Sequence, residues 1–110
     1  MATLHDLPNF IGCDKPPKIG AFRPDVYAID APLTRTIVGE AKTQADLETD
    51  HTKAQFVSFI RFLRLQQNAV FVVAVPWQAK ATARSLLDTL LGPDEENIRV
   101  VVIDDVESVQ

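Results

Sequence analysis

The feature that most constrains the fold is an apolar, β-branched run at residues 69–75, which lies between two segments with helical periodicity. The run ends at Pro76 and has the pattern of a central strand buried on both faces. Residues 52–66 before it and 78–91 after it place apolar side chains at helical spacing. A second β-branched run follows at 98–103. Strands separated by helices favour parallel pairing.

Two more strands are predicted upstream, at Val26–Asp30 and at residues 34–42, with a link short enough for an antiparallel pair. The element order is then ββαβαβ, which predicts an α/β fold with a small mixed β-sheet flanked by helices. We expect residues 1–110 to form one domain, with its core at 24–103. Three prolines within residues 1–23, and a fourth at Pro24, make this segment irregular, with at most a short extended piece near 18–22.

Cysteine content and hydropathy limit the setting of the chain. A lone cysteine, Cys13, cannot form an internal disulfide, which favours a reducing compartment. No apolar stretch approaches the roughly 18 residues of a membrane-spanning helix. The first residues also lack the basic and apolar regions of a signal peptide. These observations predict a cytoplasmic protein with no membrane partner.

The formal charge of −4 argues at first against a nucleic-acid partner. Residues 94–110, however, hold six of the fifteen acidic residues and one basic residue, Arg99. The first 93 residues therefore hold ten basic and nine acidic residues. This distribution permits DNA binding and predicts that the C-terminal segment lies away from a bound DNA backbone.

Three charged residues on the first two predicted strands suggest chemistry. Glu40 and Lys42 are two positions apart on one strand, so they project from the same face. Asp25 can join that face if the preceding strand pairs alongside. Two carboxylates and a nearby backbone carbonyl suit Mg²⁺ or Mn²⁺, and a lysine there could orient or deprotonate water or stabilise charge on a phosphate. These parts are what phosphodiester hydrolysis requires.

The sequence Pro24-Asp25, followed on the next strand by Glu40-Ala41-Lys42, resembles the PD-(D/E)XK nuclease superfamily of restriction-enzyme-like nucleases and Holliday-junction resolvases. The resemblance covers about 80 residues and implies a restriction-endonuclease-like core that cleaves DNA with a divalent metal. It implies Asp25, Glu40 and the Ala41 carbonyl as metal ligands. Lys42 would then lie near the attacking water.

Gln55 extends the resemblance, because members of the superfamily often carry a glutamine or another polar residue on the helix after the motif. It lies on a polar helix face with His51 and Ser58. The sequence departs from the superfamily by lacking a clear N-terminal helix before the first strand. A partner chain could supply that cover, or the protein could be a reduced relative that no longer cuts DNA.

The same residues also have ordinary interpretations. Asp25 after a proline is typical of turns, and Glu40 with Lys42 could be a solvated charge pair. The alternative function is a non-catalytic α/β interaction or DNA-binding module with a degenerate nuclease fold. A broad apolar surface on helix residues 56–65, with Phe59, Phe62 and Leu65 outside the main stripe, predicts a homodimer in either case. We interpret Trp77 as a packing or oligomer contact in preference to a base-stacking platform.

Overall fold

A mixed β-sheet with helices packed on it forms the fold, as the element order predicts. The computed structural model describes residues 10–12, 16–30, 35–92 and 97–104, with side chains for all of these except 10–12. The strands are β1 (Phe10–Gly12), β2 (Val26–Asp30), β3 (Arg35–Ala41), β4 (Asn68–Val75) and β5 (Ile98–Asp104). The helices are α1 (Gln44–Leu47), α2 (Asp50–Arg64) and α3 (Lys80–Leu91), and a 3₁₀ turn (Trp77–Ala79) precedes α3.

The strands lie in the sheet in sequence order, β1-β2-β3-β4-β5. The pairs β1–β2 and β2–β3 are antiparallel, whereas β3–β4 and β4–β5 are parallel. The parallel pairs follow from the helical crossovers, since two parallel neighbours need a connection that returns along the sheet. The predicted ββαβαβ order is therefore confirmed from β2 to β5, and the carboxyl ends of β3, β4 and β5 meet at one edge of the sheet.

The main hydrophobic core lies between one face of the sheet and the helices. Phe71 of β4 is fully buried and meets Phe56 and Phe59 of α2 in edge-to-face contacts, with ring centroids 5.2 and 6.1 Å apart. Leu87 of α3 belongs to the same buried cluster. The prediction that β4 is buried on both faces was wrong: its burial alternates, with Val72 on the other face only half-buried. The crossovers from β3 to β4 and from β4 to β5 have the same hand, and each adds the next strand on the same side of the previous one. Their helices, α2 and α3, therefore lie on the same face of the sheet.

Capping side chains fix the start of α1 and both ends of α2. Thr43 begins α1 with a capping box, and Thr49 begins α2 by accepting a hydrogen bond from the Thr52 backbone N–H at 3.1 Å. At the other end of α2, the Asn97 amide donates to the carbonyls of Leu63 and Gln66. The helix predicted from residue 52 to 66 therefore begins and ends two residues earlier, and α1 is a separate turn.

The N-terminal segment contributes a strand that the sequence did not predict. Strand β1 pairs with β2 at the outer side of the sheet. The expected extended piece near 18–22 is a tight turn in which Ile19 bridges Phe22 around Gly20, whose φ is 63°. The predicted lack of an N-terminal helix concerns residues 1–23: the described parts, 10–12 and 16–23, contain no helix, and residues 1–9 and 13–15 lie outside the described residues. In the described ranges, no helix has the length and apolar character needed to cross a membrane.

Candidate metal centre

The predicted site residues meet at one end of the β2–β3 pair. Val26 pairs with Gly39 in the antiparallel register, so Asp25, one residue earlier, lies opposite Glu40. Glu40 pairs with Val73 of β4, whose buried side chain belongs to the main core, and so projects toward the helices. The carboxyl end of β3 therefore brings Asp25 and Glu40 to one face, as the sequence predicts.

Two hydrogen bonds hold the carboxylates in place. The Asp25 backbone N–H donates to Glu40 Oε1 at 2.8 Å. The Ala41 backbone N–H donates to Asp25 Oδ2 at 2.9 Å. Since the N–H and C=O of one strand residue point to the same side, the Ala41 carbonyl also points toward Asp25. The three oxygen groups predicted as metal ligands, from Asp25, Glu40 and Ala41, thus share one side of β3.

Lys42 connects the carboxylates to the helix layer. Its ammonium donates to Gln55 Oε1 at 2.5 Å and lies 3.4 Å from Glu40 Oε2. Gln55 is 9% exposed and lies in the second turn of α2, whose N-terminal end is at the same edge of the sheet. The structure therefore brings together all four predicted catalytic residues, Asp25, Glu40, Lys42 and Gln55, which we call the site cluster.

Burial and charge set the electrostatics of the site cluster. The Glu40 side chain is only 3% exposed, whereas Asp25 is exposed. Burial, and then the neighbouring Asp25 carboxylate, raise the pKa of Glu40; the Asp25 N–H and Lys42 lower it in part. A buried carboxylate beside a second carboxylate, with one ammonium between the cluster and the helix, is a site where further positive charge is favourable.

The donor set fits one small divalent cation. Mg²⁺ binds through one or two carboxylates, keeps several waters and takes further oxygens from phosphate groups. Asp25 and Glu40 supply the carboxylates, each with lone pairs beyond the hydrogen bond it accepts. The Ala41 carbonyl supplies a neutral oxygen. Hard oxygen ligands of this kind suit Mg²⁺ or Mn²⁺ rather than a thiol-preferring metal.

A third carboxylate near Lys42 serves a different purpose. Asp46 accepts a hydrogen bond from the Thr43 backbone N–H at 3.0 Å, which lowers the pKa of Asp46 and completes the capping box of α1. Among the described residues there is no group of three or more histidines, cysteines or carboxylates that could hold a metal. The candidate centre therefore has two carboxylates.

Other polar residues of the α2 face do not join the site cluster. His51 packs edge-to-face on Phe22, with ring centroids 5.5 Å apart. Ser58 lies beside the Gly20 turn, where a Cβ on Gly20 would be 3.4 Å from Ser58 Oγ. Of the residues on the shared helix face, Gln55 reaches Lys42, whereas the loop before β2 covers the rest of that face, which the helix period alone could not show.

Phe59 does not contribute to the apolar surface that predicts a dimer. It is fully buried in the main core, because α2 contacts both the sheet and the loop before β2. Trp77, interpreted as a packing or oligomer contact, is 57% exposed, so it is not packed within this chain, and the oligomer contact stays a prediction.

Comparisons with family models, with curated proteins and with solved structures find no match for this chain. The resemblance to the PD-(D/E)XK nucleases therefore rests on the motif residues and on the order of elements alone.

Proposed function

We propose that the chain is a metal-dependent, nuclease-like protein that hydrolyses phosphodiester bonds in DNA. The observation that carries this proposal is the position of Lys42, which lies between Gln55 and Glu40 on the face that also bears Asp25. A strand face with two carboxylates, a carbonyl and an oriented ammonium offers ligands for a cation and a donor for a phosphate. Mg²⁺ or Mn²⁺ would be the cofactor.

Asp25, Glu40 and the Ala41 carbonyl would hold the cation. When bound, a divalent metal supplies Lewis-acid polarisation of the phosphate and lowers the pKa of water. The protein's own contribution is to hold the two carboxylates in a fixed orientation. The two backbone N–H bonds fix the carboxylates before any ligand arrives, so little side-chain entropy has to be lost on binding.

Lys42 would act on the substrate directly. An ammonium has three donors, and Gln55 and Glu40 engage two of them. The third can reach a phosphate oxygen or the attacking water, where it would stabilise the negative charge that develops in the transition state. Gln55 is a positioning residue in this scheme, because it accepts from Lys42 and directs the remaining donor.

One observation favours the second candidate, a non-catalytic interaction or DNA-binding module. The side chains of the site cluster bond to one another and to the backbone, as they would in a purely structural polar cluster. Such a cluster would keep the fold and would need no metal. The nuclease would cut DNA in the presence of a divalent metal, whereas the non-catalytic module would leave DNA intact.

Cleavage of supercoiled plasmid, single-stranded and branched DNA with Mg²⁺ or Mn²⁺ tests the proposal. We expect metal-dependent cleavage that falls at least about 100-fold in Lys42→Ala, the range for losing a transition-state donor. Cleavage should also be lost in Glu40→Ala, which removes a metal ligand. Lys53→Ala is the matched control, since Lys53 is an exposed cation on α2. Activity that survives both site substitutions would refute the assignment. Wild-type protein that cuts none of these substrates would favour the non-catalytic module.

A cytoplasmic location and a homodimer belong to the proposal as sequence-based predictions. The lone cysteine supports the location. The support that the homodimer draws from α2 is reduced to Leu65 at its C-terminal end, which is 83% exposed. Phe59 is buried, and Phe62 is half-buried and packs against Tyr27, with ring centroids 6.3 Å apart. Sedimentation or light scattering would establish the oligomeric state.

A further inference from the structure

We propose that Trp77 stacks on an unpaired base of the bound DNA strand, a few nucleotides from the phosphate at Lys42. The location of that phosphate rests on the proposed function. The stacking surface itself rests on the exposure of Trp77, on its position and on its neighbours.

The local backbone holds Trp77 outward. Pro76 ends β4, and the 3₁₀ turn that follows is held by the Ala79 backbone N–H, which donates to the Pro76 carbonyl at 2.9 Å. Ala79 is fully buried against the core, whereas Trp77, two residues earlier, is 57% exposed. The turn is therefore fixed to the core on one side and presents the indole to solvent on the other.

Trp77 lies at the same edge of the sheet as the site cluster. Strands β3 and β4 run parallel, and the Lys42 backbone N–H donates to the Ala74 carbonyl at 2.9 Å. Trp77 is three residues beyond Ala74. With strands about 4.8 Å apart and about 3.3 Å per residue, the Cα atoms of Lys42 and Trp77 are within about 15 Å. At the stacked duplex spacing of about 3.4 Å per nucleotide, this distance corresponds to at most roughly four nucleotides, and to fewer in an extended strand.

Two cations follow Trp77 at helical spacing. Lys80 and Arg84 are three and seven residues later, so they lie on the same side of the turn and helix. The Lys80 ammonium is 3.6 Å from Asp104 Oδ1, but its side chain is 42% exposed, and Arg84 is exposed. Both can approach phosphates of a strand whose base covers the indole, although Asp104 partly offsets the charge of Lys80.

The surroundings of Trp77 favour a base over an apolar protein partner. Its neighbour in sequence, Gln78, is polar and exposed. The other strongly exposed large apolar side chain among the described residues, Leu65, follows α2 at the opposite edge of the sheet. A protein interface needs a buried core of several side chains, whereas a single ring with nearby cations is enough for base stacking. Only an unpaired or terminal base offers its face to such a ring.

The test uses Trp77 as its own probe, because it is the only tryptophan in the chain. The 110-residue chain is titrated with a 15-nucleotide single-stranded DNA in Ca²⁺, and a gel confirms that the DNA stays intact. We expect the emission to be quenched on binding. Trp77→Ala should raise Kd roughly 5- to 150-fold, as expected for losing one stacked base, and Trp77→Phe should restore most of the affinity.

An abasic position moved along the DNA, and a blunt duplex, provide the controls. We expect one or two abasic positions to reproduce the Trp77→Ala loss, and the duplex to bind without strong quenching. Equal affinity of Trp77→Ala and wild type for single-stranded DNA overturns the inference. Tryptophan emission that changes with protein concentration in the absence of DNA also overturns it, because a second copy of the chain would then cover Trp77. If wild type cleaves DNA but its emission stays constant, only the stacking inference fails; quenching without cleavage removes only the nuclease proposal.

Discussion

Replacing Lys42 with methionine should destabilise the protein, and adding Glu40→Gln should reverse much of the loss. The Lys42 ammonium lies 3.4 Å from Glu40 Oε2, and both side chains are largely buried. Coulomb's law at this distance gives about 5 kcal/mol at an effective dielectric of 20 and about 1 kcal/mol in bulk water. The coupling energy from a double-mutant cycle should lie between these limits, because the pair is buried at the edge of the fold.

The loss should depend on pH with a definite sign. The pKa of Glu40 is raised in the folded protein, first by burial and then by Asp25. Its contribution to stability is therefore fully present below the usual range of a glutamate and is lost as pH rises through the raised folded pKa. Removing Lys42 raises that pKa further. The deficit of Lys42→Met relative to wild type should thus be small at acidic pH and grow toward neutral pH.

Urea unfolding followed by circular dichroism measures this cycle at about pH 4 and pH 7, with wild type, both single variants and the double variant. The control cycle uses Lys80 and Asp104, whose atoms are 3.6 Å apart but whose side chains are 42% and 40% exposed. That pair should couple by less than about 1 kcal/mol. Equal coupling in the two cycles, or a Lys42→Met deficit that shrinks with rising pH, would refute the reasoning.

Three further substitutions test the fold around the site, each by the free energy of unfolding in urea. Phe71→Ala removes a fully buried ring that meets two phenylalanines and should cost about 3–5 kcal/mol; a loss under about 1 kcal/mol would contradict the packing. Asn97→Ala removes the amide that donates to carbonyls at the end of α2 and should cost about 1–3 kcal/mol, whereas Asn97→Asp should recover none of it. Gly20→Ala should cost about 1 kcal/mol, because φ is 63° there; an unchanged midpoint would argue against this turn.

The sequence predicted the core elements well, because their signals are local. The β-branched runs and the proline after residue 75 defined the strands, and alternation within 34–42 put Glu40 and Lys42 on one face. Asp25 followed from pairing the two strands. Gln55 required the helix period and the resemblance together, because no local pattern distinguishes it from other polar residues of α2.

What the sequence could not predict depends on tertiary contacts. Strand β1 is only three residues long and is held by its pairing with β2, so periodicity does not reveal it. The second face of β4 is only half-buried because both crossovers place their helices on the other face of the sheet. Residues 69–75 would have the same apolar pattern if helices covered both faces, so the sequence does not distinguish the two arrangements. The exposure of Trp77 depends on which side of the 3₁₀ turn contacts the core, and Ala79 occupies that side.

Binding of Mn²⁺ tests the central claim, that the site cluster is a metal centre, most directly. Free Mn²⁺ is measured by its electron paramagnetic resonance signal during titration of the 110-residue chain. We predict one site per chain that is weakened at least about tenfold by Asp25→Asn, in line with the loss expected when a metal site is disturbed. Asp46→Asn, which alters a carboxylate outside the cluster, should leave affinity unchanged. Equal Mn²⁺ binding by wild type and Asp25→Asn, or no binding by wild type at millimolar Mn²⁺, would contradict the account.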